Sequence, residues 1–278
     1  MRVTVHETVA AFDAAAGPLY DADPARHTLA HTALVRLRGR PDLAGLLLTV
    51  AHRGETAGAL LQEAGRPATV SALPPALAAA AAERAGSTLP AVHGPVPEAE
   101  AFAAAYTART GQRAEVAMRM RLFRLVTLTP PRGVRGVARV AGAADLEVLV
   151  SFMTAFTAEA VQALDPPADP RPWLLEALTQ GAGYLLWEVD GVPVAVAGAR
   201  RPIGSMSRVG PVYTPPEERG HGYGTAVTAA ATAWARAAGA RDVVLLTDLA
   251  NPVSNEIYPR IGYRPVLDAV ELRFTARA

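Results

Sequence analysis

The 278-residue chain contains no cysteine. That absence excludes disulfide bridges, thiolate metal sites and a cysteine nucleophile. Lysine is absent too, so all 27 Lys+Arg positions are arginine. With the heavy alanine usage, this is the imprint of a GC-rich genome and carries no functional reading. Net charge is scarce: 26 acidic residues leave +1, so no global field draws the chain to nucleic acid or to a membrane. No apolar run approaches the length of a membrane span. The start, Met1-Arg2-Val3-Thr4-Val5-His6-Glu7, lacks the charged and then apolar segments of a signal peptide. The expectation is a soluble cytoplasmic protein, monomer or homodimer, without nucleic-acid or membrane partners. The six histidines show no metal spacing. His27 and His31 stand four apart without a third ligand, so they are expected at the surface and no metal is expected.

What is present suits two modest domains with real cores, since half the residues are hydrophobic. The clearest break is Thr129-Pro130-Pro131-Arg132-Gly133, which divides 1–130 from 131–278. In the second part, 137–140 reads as a strand. Asp145 can cap a helix to about Ala163 that Asp165-Pro166-Pro167 ends. Pro172 opens a short helix, and strands 184–189 and 192–199 flank an Asp190-Gly191 hairpin turn. Strand 205–213 precedes a glycine cluster and a helix to about Ala238, with Gly239 as C-cap. A buried-type strand at 242–247, a short helix at 252–260 and last strands over 263–274 follow. In the first part, strands 46–51 and 56–61 flank Arg53-Gly54-Glu55. Strand 68–71, a helix over 74–85, strand 89–93, helix 96–110 and strand 116–128 follow. The run strand, Gly94-Pro95 turn, helix, strand echoes the second part. Two readings stay open: a degenerate second copy that no longer holds a cofactor, or an unrelated α/β domain.

The glycine cluster is Arg219-Gly220-His221-Gly222-Tyr223-Gly224. Glycines between a strand and a helix start leave backbone N–H groups exposed at the positive end of the helix dipole, which suits an anion. A Walker loop is excluded because no Lys follows the last glycine, and the spacing differs from the dinucleotide fingerprint. Downstream lies Asn251-Pro252-Val253-Ser254-Asn255-Glu256-Ile257-Tyr258-Pro259-Arg260-Ile261-Gly262-Tyr263.

The first block, Arg-x-x-Gly-x-Gly in form, resembles the pyrophosphate loop of the GNAT family of N-acetyltransferases. The second resembles that family's Asn-x-x-Ser-x-x-Ile-Tyr-x-x-x-Gly-Tyr signature, and both occur in the family's order. The resemblance covers roughly residues 134–278. It implies an α/β (α+β) fold: a mixed, mostly antiparallel sheet flanked by helices, here as a tandem of two GNAT-like domains of the bacterial two-domain kind. It also implies acetyl-coenzyme A as co-substrate, without metal, and a small-molecule or peptide amine as acceptor.

By that resemblance the diphosphate lies on amides from Gly220 through His221, Gly222, Tyr223 and Gly224 to Thr225, with Arg219 and the Thr225 hydroxyl as further partners. Val212, Tyr213 and Thr214 offer backbone groups to the pantetheine arm, provided their strand splays from its neighbour. Asn251 and Asn255 are further cofactor contacts, and Asn251 is equally an N-cap ahead of Pro252. Tyr258 is the expected acid for the departing thiolate, because a phenol keeps a transferable proton at neutral pH. The base is open: relatives carry Glu where this chain has Leu246, and Glu159, Glu188 and Asp248 are the candidates. Trp173, Trp187 and Phe156 either line an acceptor pocket or pack in the core. The alternative to an enzyme is a non-catalytic acyl-coenzyme A-binding or regulatory protein.

Overall fold

A computed structural model describes residues 1–86, 88–160 and 169–276. The chain forms two compact units. Unit 1 holds residues 1–122, 248–250 and the chain from Val266 onward; unit 2 holds 123–247 and 251–265.

Unit 1 begins with β1 (Arg2–Val5), α1 (Val9–Ala22), α2 (Thr28–Gly39), β2 (Ala44–His52), β3 (Glu55–Glu63) and β4 (Ala68–Ser71). It continues through α3 (Ala78–Arg84), β5 (Ala91–Pro95), α4 (Val96–Thr110) and the first ten residues of β6 (Arg113–Leu125). Strands β1 to β4 pair antiparallel in succession, and β4 pairs parallel with β5. One face of this sheet packs Leu60, Val70 and Val92 against α3 and α4. The other packs Leu47 and Leu61 against Phe12 and Tyr20 of α1 and Leu34 of α2. Alternation along each strand produces the two faces.

Unit 2 runs through β7 (Val137–Val140), α5 (Leu146–Ala160), α6 (Arg171–Thr179), β8 (Gly183–Val189), β9 (Val192–Ala199) and β10 (Met206–Tyr213). It continues with α7 (Tyr223–Ala237), β11 (Asp242–Asp248) and α8 (Pro252–Arg260), and β12 (Tyr263–Thr275) closes the chain. Strands β7 to β10 pair antiparallel in succession, and β10 pairs parallel with β11. The β8–β9 turn has positive φ at Asp190 and Gly191, 52° and 80°, as a two-residue hairpin turn demands.

Residues 129–133 fall inside unit 2. Strands β6 and β12 each divide their residues between the units. Phe123, Leu125 and Tyr263 enter one core of unit 2, whereas Val270, Leu272 and Phe274 enter a core of unit 1.

Three expectations need correction. β1, α1 and α2 occupy a stretch where no element was expected. His27 and His31 are buried, not superficial. Both rings lie tilted beside Tyr20, with centroids 5.6 and 6.3 Å away, and His31 Nε2 lies 3.1 Å from Asp21. The echo between halves also shifts. The helix joining the parallel pair is α3 in unit 1 and α7 in unit 2, so the counterpart of the glycine cluster is 72–77, not Gly94-Pro95. The expected helix end at Asp165-Pro166-Pro167 lies outside the described residues.

Candidate functional site

All the nominated cofactor and acid residues lie in unit 2. β10 pairs with β11 from Met206↔Asp242 to Val209↔Leu245 and no farther among the described residues. On its other edge it stays paired with β9 to Tyr213↔Val196, across a register shift between Val209 and Val212. Pro211, which has no N–H, sits in that shift. The parallel pair therefore parts toward its carboxyl end, the end where ligands lodge in sheets of this kind. Val212, Tyr213 and Thr214 stand on the parted segment.

The glycine cluster follows at once. Gly222 is the N-cap of α7 with φ +82°, a left-handed conformation costly for any residue with a Cβ. The first helical bond is Ala226 N–H to the Gly222 carbonyl, at 3.0 Å. The N–H groups of Tyr223, Gly224 and Thr225 therefore have no acceptor within the helix. Gly222 offers no side chain to cap them. Tyr223 is buried in the core, and its ring stacks on His221 with centroids 5.3 Å apart. His221 is exposed, with Nδ1 3.4 Å from the Glu218 carbonyl.

Arg219 is exposed but held in place. Its Nε donates to the Thr214 carbonyl at 3.0 Å and its Nη2 to Glu159 at 2.5 Å. Its guanidinium carbon lies 6.0 Å from the centre of the Tyr213 ring. Tyr213 donates its hydroxyl to the other Glu159 oxygen at 2.8 Å. Glu159, on α5, thus joins the loop to the end of β10. Arg219 first, and then Tyr213, hold its carboxyl below the usual range. Burial, reinforced by Glu159, pushes the Tyr213 phenol up to about 12. Glu188 is paired instead with Arg139, and Asp248 belongs to unit 1.

Asn251 caps α8, accepting from Ser254 N–H at 3.1 Å, and Asn255 Nδ2 donates to the Asn251 carbonyl at 2.7 Å. Both asparagines thereby organise the start of α8. Tyr258 is 6% exposed and packs edge-on against Phe123 and Tyr263, at 6.0 and 6.3 Å. Burial raises its phenol above the ordinary value, with a hydrogen bond from Ser254 opposing. It therefore keeps its proton through the neutral range. Gly262 ends the motif with φ +103°, and a Cβ there would run into the Thr127 carbonyl. Trp187 donates to the Arg135 carbonyl at 2.9 Å, Trp173 is largely exposed, and Phe156 packs against the core beneath α5. No group of His, Cys, Asp and Glu able to hold a metal occurs among the described residues.

Residues 149–263 match the model of the acetyltransferase (GNAT) family. The match is to the GNAT family, over these residues. A GNAT-family acetyltransferase from Colwellia psychrerythraea superposes with a TM-score of 0.62 at 13% identity, covering 99% of this chain and 100% of its own. A tandem GNAT protein from the clavulanic acid biosynthesis pathway gives 0.58 at 17%, covering 98% of each chain. A GCN5-related N-acetyltransferase from Kribbella flavida gives 0.56 at 22%, covering 89% and 96%. At such identities these likenesses establish the fold: a mixed, largely antiparallel sheet flanked by helices, in tandem GNAT form. No curated protein matches the chain. Sequence reasoning missed one feature of the GNAT site. Glu159 was one candidate base among three, and nothing in its local pattern announced its joint contact with Tyr213 and Arg219.

Proposed function

We propose that unit 2 is an acetyl-coenzyme A-dependent N-acetyltransferase that acts on a primary amine by direct attack. The observation that carries this reading is the parting of β10 from β11 beside an α7 start whose amides have no capping side chain. The GNAT family match covers the same residues. Acetyl-coenzyme A would supply the activated acyl group. The edge of β10 that is not paired with β11, at Val212 and Tyr213, suits an amide-bearing arm, Thr214 adjoins it, and the amides from Gly220 to Thr225 suit a diphosphate. The chain's contribution is then mainly positioning and polarisation.

Two proton transfers are required. The amine must give up a proton as its nitrogen bonds to the acyl carbon, and the thiolate must gain one as the C–S bond breaks. Tyr258 is assigned the second role, since burial keeps its phenol protonated. Glu159 is assigned the first. While Arg219 holds it, it is a weak base. If Arg219 exchanged Glu159 for a phosphate oxygen, Glu159 would keep Tyr213 as donor and its proton affinity would rise toward that of an ordinary carboxylate.

One observation favours a non-catalytic acyl-coenzyme A binder instead: the Tyr258 ring is enclosed by core residues of unit 2. Tyr258→Phe separates the two readings. The enzyme reading expects amine-dependent thiol release to fall about 10²- to 10⁴-fold, with coenzyme A affinity unchanged. Undiminished turnover would remove Tyr258 from the chemistry. Complete absence of turnover by the unaltered chain across an amine panel, with tight cofactor binding, would favour the binder.

A further inference from the structure

Unit 1 carries a half-open cleft of about 500 Å³ that the acyl-transfer reading does not use. That volume falls in the range of small-molecule sites. It opens where β5 ends and α4 begins, at the carboxyl end of the unit's parallel strand pair. Its apolar lining includes Val96, Leu249 and Leu267, and its charged lining is Arg26, Arg119 and Asp268. The Leu249 N–H donates to the Arg119 carbonyl at 2.9 Å, which fixes two of these walls together.

The charges are not equally committed. Arg26 lies 2.5 Å from Glu98, a carboxylate only 7% exposed. Asp268 receives two bonds from Arg121, at 2.6 and 2.9 Å. Arg119 has only a long contact, 3.8 Å, with Glu100, and both side chains are half exposed. A pair of that kind is worth little. The cavity therefore presents one weakly compensated guanidinium over an apolar wall, with a carboxylate in the same lining. That combination suits a monoanion and disfavours a dianion. A coenzyme A diphosphate is disfavoured further. The stretch between β4 and α3, Ala72-Leu73-Pro74-Pro75-Ala76-Leu77, has no glycine, and its two prolines lack N–H groups.

We propose that this cavity binds a small monocarboxylate with an apolar body, its carboxylate on Arg119 and its body against Val96, Leu249 and Leu267. The proposal does not depend on the acyl-transfer assignment in unit 2.

The test titrates the full chain with hexanoate, hexanamide and inorganic phosphate by calorimetry, with acetyl-coenzyme A as a parallel ligand. Expected is saturable binding of hexanoate, at least tenfold tighter than hexanamide or phosphate. Arg119→Met should weaken hexanoate at least tenfold and leave the melting temperature unchanged, because Arg119 is half exposed. Leu267→Trp, which intrudes on the wall assigned to the apolar body, should weaken hexanoate binding at least tenfold. If Leu267→Trp does not fold, Arg119→Met decides alone. Neither variant should alter acetyl-coenzyme A affinity. The proposal is overturned by any of four results: no saturation with hexanoate, equal binding of hexanamide, displacement of hexanoate by acetyl-coenzyme A, or full binding to Arg119→Met.

Discussion

At the scale of single residues, burial decides what titrates. His27 stands at the N-cap of α2 with its imidazole pushed down to about 4, by burial first and by Arg26 second. Its folded value lies below the unfolded value of about 6.5. Between those values the unfolded chain binds more protons, so stability rises with pH across that window and is lost as pH falls through it. The contribution reaches up to about 3 kcal/mol. Urea unfolding at pH 4.5 and pH 7.5 should show this slope, and His27→Gln should flatten it; an equal slope in both chains would exclude His27 as its source. Glu159 illustrates a different balance. Its ion pair with Arg219 joins two side chains that are each nearly half exposed, so Glu159→Gln should cost less than about 1 kcal/mol of stability. As the assigned base it should nonetheless lower turnover at least tenfold, with a flattened acid limb in the pH profile. A Glu159→Gln enzyme with the original profile would assign the base elsewhere.

At the scale of elements, agreement between sequence and structure follows local chemistry. α8 begins at Asn251-Pro252, a cap followed by a proline at the first helical position. Its limits were legible in full. So was the Asp190-Gly191 hairpin, whose turn residues accept positive φ. α1 was not legible. It carries Gly17 and Pro18 in its interior, a pair that reads as a break. It is helical because Phe12, Ala16 and Tyr20, spaced four apart, are fully buried against β2 and β3. Tertiary packing overrides propensity there. His27, at the N-cap of α2, and His31 within it were misplaced for the same reason: without α1, nothing in the sequence covers them. Within the Asn251–Tyr263 motif, Gly262 makes a sharp case. Gly262→Ala meets both an unfavourable φ and the Thr127 carbonyl, and should destabilise the chain by at least about 2 kcal/mol. Denaturant melts that coincide with the parent would show that the backbone relaxes freely at that turn.

At the scale of the whole molecule, the two units share a plan and differ in equipment. Each has one parallel strand pair joined through a helix, β4–α3–β5 and β10–α7–β11. Ahead of its helix the second connection carries glycines, and that helix runs for fifteen residues. Ahead of its helix the first carries Pro74 and Pro75 and no glycine, and that helix runs for seven residues. The tandem plan could be read only as an open possibility from sequence, because parallel pairing is a long-range fact. The division of β6 and β12 between the units was not legible at all. Strand residues alternate in hydrophobicity whichever core receives them. The parting of β10 from β11 was equally invisible, since it is the absence of pairing between two segments that each look like ordinary strands.

That parting and the loop beside it support the central claim, and binding tests it most directly. The measurement is isothermal titration of the full chain with acetyl-coenzyme A, repeated on Gly222→Glu. The account predicts saturable binding to the parent and its loss in Gly222→Glu, where a carboxylate and a strained backbone meet the amides assigned to the diphosphate, with the variant still folded by circular dichroism. No binding to the folded parent, or unchanged affinity in the variant, would contradict it.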